Sequence, residues 1–183
     1  MKLLFASDLH GSAQYTRALL DAFEAEKADK CVLLGDLLYH GPRNPLPEGY
    51  APLTVAQMLN GMKEKLICVR GNCDAEVDGL VLEFPYSADY APIFIDGITI
   101  FATHGHVFNE EKLPPLQSGD VLMHGHTHVG AAEDRGGYYF CNPGSVSIPK
   151  DGEHSYMIYE NGCFTRKNLQ GTVLAMLCIK AFA

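Results

Sequence analysis

Short apolar runs alternate with helical and loop segments in the first 70 residues. Residues 2–6, 31–34 and 66–69 are apolar and are predicted to form buried strands. A helix with one apolar face is predicted after the N-cap residue Ser12, and a second over residues 52–62. This strand–helix–strand order predicts an α/β sheet whose parallel strands are joined by right-handed crossovers.

The second half of the chain is richer in strands. Two hairpins are predicted around the dipeptides Asp96-Gly97 and Asn161-Gly162, which are typical of two-residue turns. A last strand is predicted over residues 173–179. The whole 183-residue chain is therefore predicted to be one α/β domain with two mixed β-sheets packed face to face and helices outside them.

The charge balance narrows the class of partner. The formal net charge is −8, which opposes non-specific attraction to nucleic-acid polymers and anionic membranes. No apolar run approaches the roughly 18 residues that span a bilayer, and the first residues resemble a strand rather than a signal peptide. We expect a cytoplasmic protein that acts on a small molecule without membrane contact. The sequence is compatible with a homodimer.

The six cysteines form no CxxC pair, and four of them lie in or beside apolar runs. This pattern favours reduced, buried thiols over a disulfide framework. The cysteines are Cys31, Cys68, Cys73, Cys141, Cys163 and Cys178.

Carboxylate, imidazole and amide side chains follow five of the apolar runs. In α/β sheets, bound ligands gather beyond the carboxyl ends of the strands. Oxygen and nitrogen ligands without thiolates suit divalent manganese, iron or zinc. The predicted metal ligands are Asp8, His10, Asp36, Asn72, His104, His126 and His128.

Seven ligands are too many for one tetrahedral zinc ion, but they suffice for two ions if one carboxylate bridges them. A pair of divalent ions is the arrangement that promotes in-line displacement at phosphorus. Two such ions carry four positive charges, and Asp8 and Asp36 return two negative ones. The loaded cavity would therefore be positive and would attract a phosphate ester.

Five sequence blocks in a fixed order resemble the signature of the calcineurin-like metallophosphoesterase superfamily, and within it the small bacterial YfcE-type phosphodiesterases. The blocks are Asp8-x-His10, Gly35-Asp36, Gly71-Asn72-x-Asp74, His104 and Gly125-His126-x-His128. The resemblance covers essentially the whole chain. It implies a four-layer αββα sandwich that hydrolyses small phosphodiesters by in-line attack of a metal-activated hydroxide.

The resemblance also implies how the ligands are shared. One ion would be held by Asp8, His10 and His128, the other by Asn72, His104 and His126, with Asp36 as the bridge. Manganese is the expected metal in such a dinuclear centre, with iron or zinc as alternatives.

Four further residues are candidates for catalysis or substrate contact: Cys73, Asp74, Arg43 and His106. Many superfamily members carry histidine where this chain has Cys73. A neutral thiol supplies no cation, which predicts a bias toward phosphodiesters over the more highly charged monoesters. Arg43 lies in a proline-rich loop over residues 37–52 and could pair with phosphate or be a solvated charge.

Simpler structural roles compete with these assignments. Asp8 and Asp36 could be helix N-caps, Asn72 could shape a turn, and Cys73 could be an inert thiol. His106 could support the ligands, contact phosphate or pack in the interior. Two other sites are expected to be structural: His124, packed against the sheet, and residues 142–145, forming the floor of the site.

Other functions are compatible with parts of the sequence. A nuclease or phosphomonoesterase of the same superfamily is one alternative, although the acidic balance disfavours long polymers. A non-catalytic scaffold subunit of a sorting complex is another. A scaffold would be expected to have lost ligand histidines, and this chain keeps the full set.

Overall fold

The computed structural model describes residues 1–179 of the chain. None of the helices in this part is long and apolar enough to cross a bilayer. Two 3₁₀ turns lie at Lys63–Lys65 and Glu76–Leu80. The helices are α1 (Ala13–Glu26) and α2 (Pro52–Asn60). The strands are β1 (Leu3–Ala6), β2 (Lys30–Leu33), β3 (Leu66–Cys68), β4 (Tyr90–Ile95), β5 (Ile98–Thr103), β6 (Val121–Met123), β7 (Ala131–Asp134), β8 (Tyr139–Asn142), β9 (Ser155–Glu160), β10 (Cys163–Asn168) and β11 (Val173–Cys178).

The strands form two mixed sheets. The first has the order β11-β10-β9-β1-β2-β3, with β1, β2 and β3 parallel. The second has the order β4-β5-β6-β8-β7, with β5, β6 and β8 parallel. Both predicted hairpins form, because Asp96, Gly97, Asn161 and Gly162 all have positive φ as a tight two-residue turn requires.

Apolar side chains fill the space between the sheets. Phe5 and Val32 of the first sheet join Ile100 and Val121 of the second in one buried cluster. On the other face of the first sheet, α1 and α2 bury a second cluster that includes Leu19. The α/β class with two face-to-face mixed sheets is therefore confirmed, and the N-cap of α1 is Ser12, as predicted.

The family resemblance implies a helical layer on the outer face of each sheet. On the second sheet an irregular segment takes that position. Residues 104–120 pack there, and they contain no helix. Two consecutive prolines, Pro114 and Pro115, disfavour helix formation in this segment. The apolar contacts that this segment covers involve Phe101, Leu122 and Phe140 with Phe108 and Leu116.

The expectation that all six cysteines are reduced is wrong for one pair. Cys163 and Cys178 form a disulfide between neighbouring strands β10 and β11. The strand register sets these two residues opposite each other, with their Cα atoms 4.0 Å apart. Sequence spacing does not reveal this register. The other four cysteines are free, and Cys31, Cys68 and Cys141 are buried as predicted.

Candidate metal centre

Loops that follow five strands bring the predicted ligands together. Asp8 and His10 follow β1, Asp36 follows β2, Asn72 follows β3, His104 follows β5, and His126 and His128 follow β6. The two sheets contribute to one site because the carboxyl ends of their parallel strands lie at the same edge of the sandwich, as the contacts below require. Residues more than a hundred positions apart thus share a single cluster.

The first half of the site combines one carboxylate and two imidazoles. Asp8 Oδ1 lies 3.1 Å from His128 Nε2 and 3.5 Å from His10 Nε2. The two Nε2 atoms of His10 and His128 are 3.2 Å apart. Asp36 Oδ2 approaches His10 Nε2 at 3.7 Å and so joins this half to the next.

The second half is arranged around His104. Its Nε2 lies 3.0 Å from Asn72 Oδ1 and 3.2 Å from His126 Nδ1. The same Nε2 is 3.5 Å from Asp36 Oδ2. One carboxylate oxygen of Asp36 therefore faces both halves of the site, which is the position that a bridging ligand needs.

Backbone carbonyls fix which nitrogen of each imidazole carries the proton. The Nδ1 atoms of His10, His104 and His128 lie 2.7–2.8 Å from backbone oxygens, at Tyr39, Leu34 and Ile148. A carbonyl only accepts, so each Nδ1–H donates and the neutral ring presents the Nε2 lone pair to the site. Two such lone pairs 3.2 Å apart, in His10 and His128, repel each other unless a cation or a proton lies between them.

The carboxylate of Asp8 is also oriented for a cation. Its Oδ2 accepts a hydrogen bond from the backbone N–H of His126, whereas its buried Oδ1 has no hydrogen-bond partner. The hydroxyls of Ser145 and Ser147 both donate to the Asp8 carbonyl. Because a buried carboxylate oxygen without a partner is costly, the free Oδ1 fits a bound divalent cation.

The backbone at the site is held in an uncommon conformation. Five of the seven predicted ligands have positive φ: Asp8, His10, Asp36, His126 and His128, with values of 45–65°. Non-glycine residues reach this left-handed region rarely and at an energetic cost of roughly 1–3 kcal/mol each. Such strain persists only where the surrounding structure enforces it, and it is concentrated here around one cluster.

The carboxylates of Asp8 and Asp36 change the pKa of His104. Burial opposes ionisation of His104, but the nearby Asp36 and Asp8 carboxylates outweigh it and raise its pKa to about 9. Burial and the charge of His104 lower the pKa of His126 to about 4. A divalent cation at these atoms would supply the positive charge that a protonated His104 otherwise provides, and would displace its proton.

The structure separates the four predicted catalytic residues into two groups. Arg43 and Cys73 line a pocket of 560 Å³ that is floored by Asp36, Asn72 and His128. Burial, followed by the charge of Asp36, raises the pKa of the Cys73 thiol to about 12, so it is neutral at physiological pH as expected.

Asp74 and His106 do not line this pocket. Asp74 accepts hydrogen bonds from the backbone N–H groups of Asp36, Leu37 and Gly71 at 2.7–2.8 Å, so it positions the Asp36 loop rather than facing a substrate. The ring of His106 packs near that of His104, with centroids 5.3 Å apart.

The geometry decides between the simpler structural roles of Asp8, Asp36 and His124. Neither Asp8 nor Asp36 caps a helix, since α1 and α2 begin after Ser12 and Ala51. The expected structural role of His124 is confirmed, because its buried ring packs on Phe140 with centroids 4.8 Å apart.

The expected floor of the site is also present. The amide of Asn142 donates to the Gly125 carbonyl between β6 and His126, and Ser145 holds Asp8 as described above.

Two residues that line the pocket were not identified from the sequence. Thr127 lies between two predicted ligands, and Lys150 lies in the loop before β9. Thr127 could have been suspected from its position inside the His126-x-His128 block. Nothing in the local sequence distinguishes Lys150 from the other lysines, because its position in the pocket depends on a long-range backbone contact with His128.

Comparison with known proteins gives consistent matches. Residues 1–161 match the family model described as the calcineurin-like phosphoesterase superfamily domain. The chain is 52% identical over 162 residues to phosphodiesterase YfcE of Escherichia coli strain K12, covering 88% of this chain and 88% of the relative. A solved structure of YfcE, a phosphoesterase from E. coli, superposes with a TM-score of 0.96 at 47% identity, covering 98% of this chain and 100% of that one.

A more distant structure shares the fold alone. Vacuolar protein sorting 29 from Cryptosporidium parvum superposes with a TM-score of 0.64 at 18% identity, covering 96% of each chain. At this identity the similarity supports the architecture of two packed sheets and gives no information about activity.

Proposed function

The chain belongs to the calcineurin-like phosphoesterase superfamily, and from that premise we propose that it is a metal-dependent hydrolase of small phosphodiesters with a dinuclear centre. The observation that carries the proposal is the position of Asp36 Oδ2, which faces His10 on one side and His104 on the other. The relative named phosphodiesterase YfcE supports diesters as the substrate class.

The donor set fits two divalent cations. Asp8, His10 and His128 would hold one, Asn72, His104 and His126 the other, and Asp36 would bridge. All donors are oxygen or imidazole nitrogen, which suits manganese, iron or zinc, and the family resemblance favours manganese among these. When bound, the cations supply polarisation of the phosphoryl group and acidify the attacking water.

The protein's own groups would orient the substrate and limit what it can be. Cys73 donates its backbone N–H to Asp36 Oδ1, which leaves Oδ2 directed at the histidines. Asn44 lines the pocket and can donate a hydrogen bond to a phosphate oxygen, and the Arg43 guanidinium lines the same pocket. The neutral Cys73 side chain beside Asn72 adds no positive charge to stabilise the second negative charge that a phosphomonoester carries.

Metal content and substrate preference together test the proposal. Purified protein loaded with manganese should contain two equivalents of metal per chain and hydrolyse bis(4-nitrophenyl) phosphate faster than 4-nitrophenyl phosphate. Chelation should remove this activity, and manganese should restore it. One equivalent of metal would contradict the dinuclear centre, and full loading without diester hydrolysis would contradict the function itself.

Exchange of Cys73 for histidine should shift the substrate preference. An imidazole at this position can carry a proton and stabilise the extra charge of a monoester, so Cys73→His should raise the monoester-to-diester ratio of kcat/KM by about tenfold. The ratio is measured with the two nitrophenyl substrates above. Cys73→Ser is the matched control, because it changes the side chain without adding a cation; an equal shift in both variants would contradict this account.

Two alternatives are weaker. A nuclease acting on long polymers is disfavoured by the net charge of −8. A scaffold without catalysis is disfavoured because all seven predicted ligands are present and directed at one another.

Cytoplasmic residence stays a prediction. The buried free thiols suit a reducing compartment, whereas the Cys163–Cys178 disulfide is uncommon there. A homodimer also stays a prediction.

A further inference from the structure

The pocket over the candidate metal centre is larger than the scissile phosphate alone. Its volume of 560 Å³ lies in the range of roughly 300–1,000 Å³ that holds a drug-sized molecule. Four of the predicted ligands line it, and the remaining wall comes from the loop at residues 41–44 and from Cys73, Thr127 and Lys150. A substrate that fills this space has a second part beyond the scissile phosphate.

Two cationic side chains line this pocket without a partner. Within residues 1–179, neither the Arg43 guanidinium nor the Lys150 ammonium makes an ion pair or a hydrogen bond. The one acidic side chain among the described lining residues is Asp36, whose oxygens are directed at His10, His104 and the Cys73 N–H. Both cations are therefore available to a ligand in a protein of net charge −8.

The backbone that presents Lys150 is firmly held. Its N–H donates to the His128 carbonyl at 2.9 Å, and the His128 ring donates back to the Ile148 carbonyl at 2.8 Å. The next residue, Asp151, accepts from the Gly130 N–H at 2.8 Å.

A buried arginine secures the same loop. The guanidinium of Arg166 on β10 donates to Asp151 Oδ2 at 2.7 Å and to Ser155 Oγ at 2.8 Å, and the residue is only 8% exposed. The backbone of Lys150 is thus fixed relative to the predicted metal ligand His128, so its side chain starts from a defined position at the pocket wall.

We propose that Arg43 and Lys150 form an anion subsite, and that the substrates of this centre are small phosphodiesters with a terminal phosphate on one arm. The proposal rests on the proposed function, since the scissile phosphate is assigned to the seven ligands. A dianionic phosphate matches two unpaired cations, and a guanidinium can donate two hydrogen bonds to its oxygens.

A matched pair of substrates tests the subsite. Thymidine 5′-(4-nitrophenyl phosphate) is compared with the same compound phosphorylated at the 3′ oxygen, so that the scissile bond and leaving group are identical. The phosphorylated compound should have a kcat/KM about tenfold higher, mostly through KM, and the preference should fall as salt is raised.

Removal of either cationic side chain should reduce the preference for the phosphorylated substrate. Lys150→Met and Arg43→Met keep an unbranched apolar side chain at exposed positions and should each lower the ratio of the two kcat/KM values by several-fold. Arg17→Gln removes one positive charge from the exposed face of α1, outside the pocket, and should leave the ratio unchanged. Equal kcat/KM for the two substrates, or an unchanged ratio in both methionine variants, would overturn the subsite.

Binding separates a failure of the subsite from a failure of the proposed function. Manganese-loaded protein should bind thymidine 3′,5′-bisphosphate about tenfold more tightly than thymidine 5′-monophosphate in calorimetry, and Lys150→Met should reduce the difference. If neither diester is hydrolysed but this binding preference is present, the subsite stands and the proposed hydrolysis is wrong. If hydrolysis occurs without any binding preference, the reverse holds.

Discussion

Asp36→Asn should lower kcat/KM for a small diester by at least about a thousandfold, equivalent to about 4 kcal/mol of lost transition-state stabilisation. Asp36 Oδ2 is the atom that faces both halves of the site, at 3.7 Å from His10 Nε2 and 3.5 Å from His104 Nε2. An amide removes one negative charge and supplies a single oxygen. That oxygen is needed at Oδ1 to accept from the Cys73 N–H, which leaves an NH₂ group in the place of Oδ2.

The fold of this variant should be retained. Asparagine has the same shape as aspartate and can keep the hydrogen bond from the Cys73 N–H. Kinetics at saturating manganese, metal content and the thermal unfolding midpoint are measured together. Metal content should fall below two equivalents per chain while the unfolding midpoint of the metal-free protein changes little.

Asp120→Asn is the matched control. Asp120 is also buried and accepts backbone N–H groups, from Thr99 and Gln117, but it precedes β6 and lies at the end of that strand away from the ligands. It should retain near-normal turnover. Near-normal rates in Asp36→Asn would show that this carboxylate does not bridge two cations.

Gly71→Ala should have the second largest effect on activity, because the added methyl group would push the Asp36 carboxylate out of position. A Cβ at residue 71 would overlap the Oδ1 atom and the backbone nitrogen of Asp36. Backbone cannot move aside as a flexible side chain can, so the overlap should cost about 1–3 kcal/mol of stability. A shift of the carboxylate by about 1 Å should lower kcat/KM by about a hundredfold. Unfolding curves and diester kinetics measure the two effects separately.

Gly137→Ala serves as the control for this substitution. A Cβ added at Gly137 meets nothing within 4 Å, and its φ is not in the left-handed region. This variant should keep both stability and activity. If Gly71→Ala behaves like Gly137→Ala, the close approach of residue 71 to Asp36 does not position the site.

Local features of the sequence were sufficient for much of the fold. The apolar runs predicted β1, β2 and β3, Ser12 marked the start of α1, and Asp96-Gly97 and Asn161-Gly162 marked two tight turns. These predictions succeeded because burial, capping and positive φ depend on a few neighbouring residues. The irregular layer over the second sheet was not anticipated from the resemblance, since family architecture does not determine how a single segment packs.

The candidate site was predicted in its residue types but not in its supporting contacts. Seven ligand-type residues could be chosen because each follows an apolar run. The role of Asp74 could not be read in the same way, because a carboxylate that binds three backbone N–H groups looks in sequence like one that faces a substrate. The tautomers of His10 and His104 likewise depend on carbonyls of distant residues.

From the sequence alone, both helices, most of the strands, the two tight turns and the residue types of the predicted ligands could be predicted. The family resemblance already suggested Asp36 as the bridge, but only the tertiary structure decided that Cys163 pairs with Cys178 and that Lys150 lines the pocket. The physical reason is the separation along the chain of the residues that interact. Periodicity and turn preferences act between neighbours in the chain, whereas these contacts require the packing of two sheets and the register between their strands.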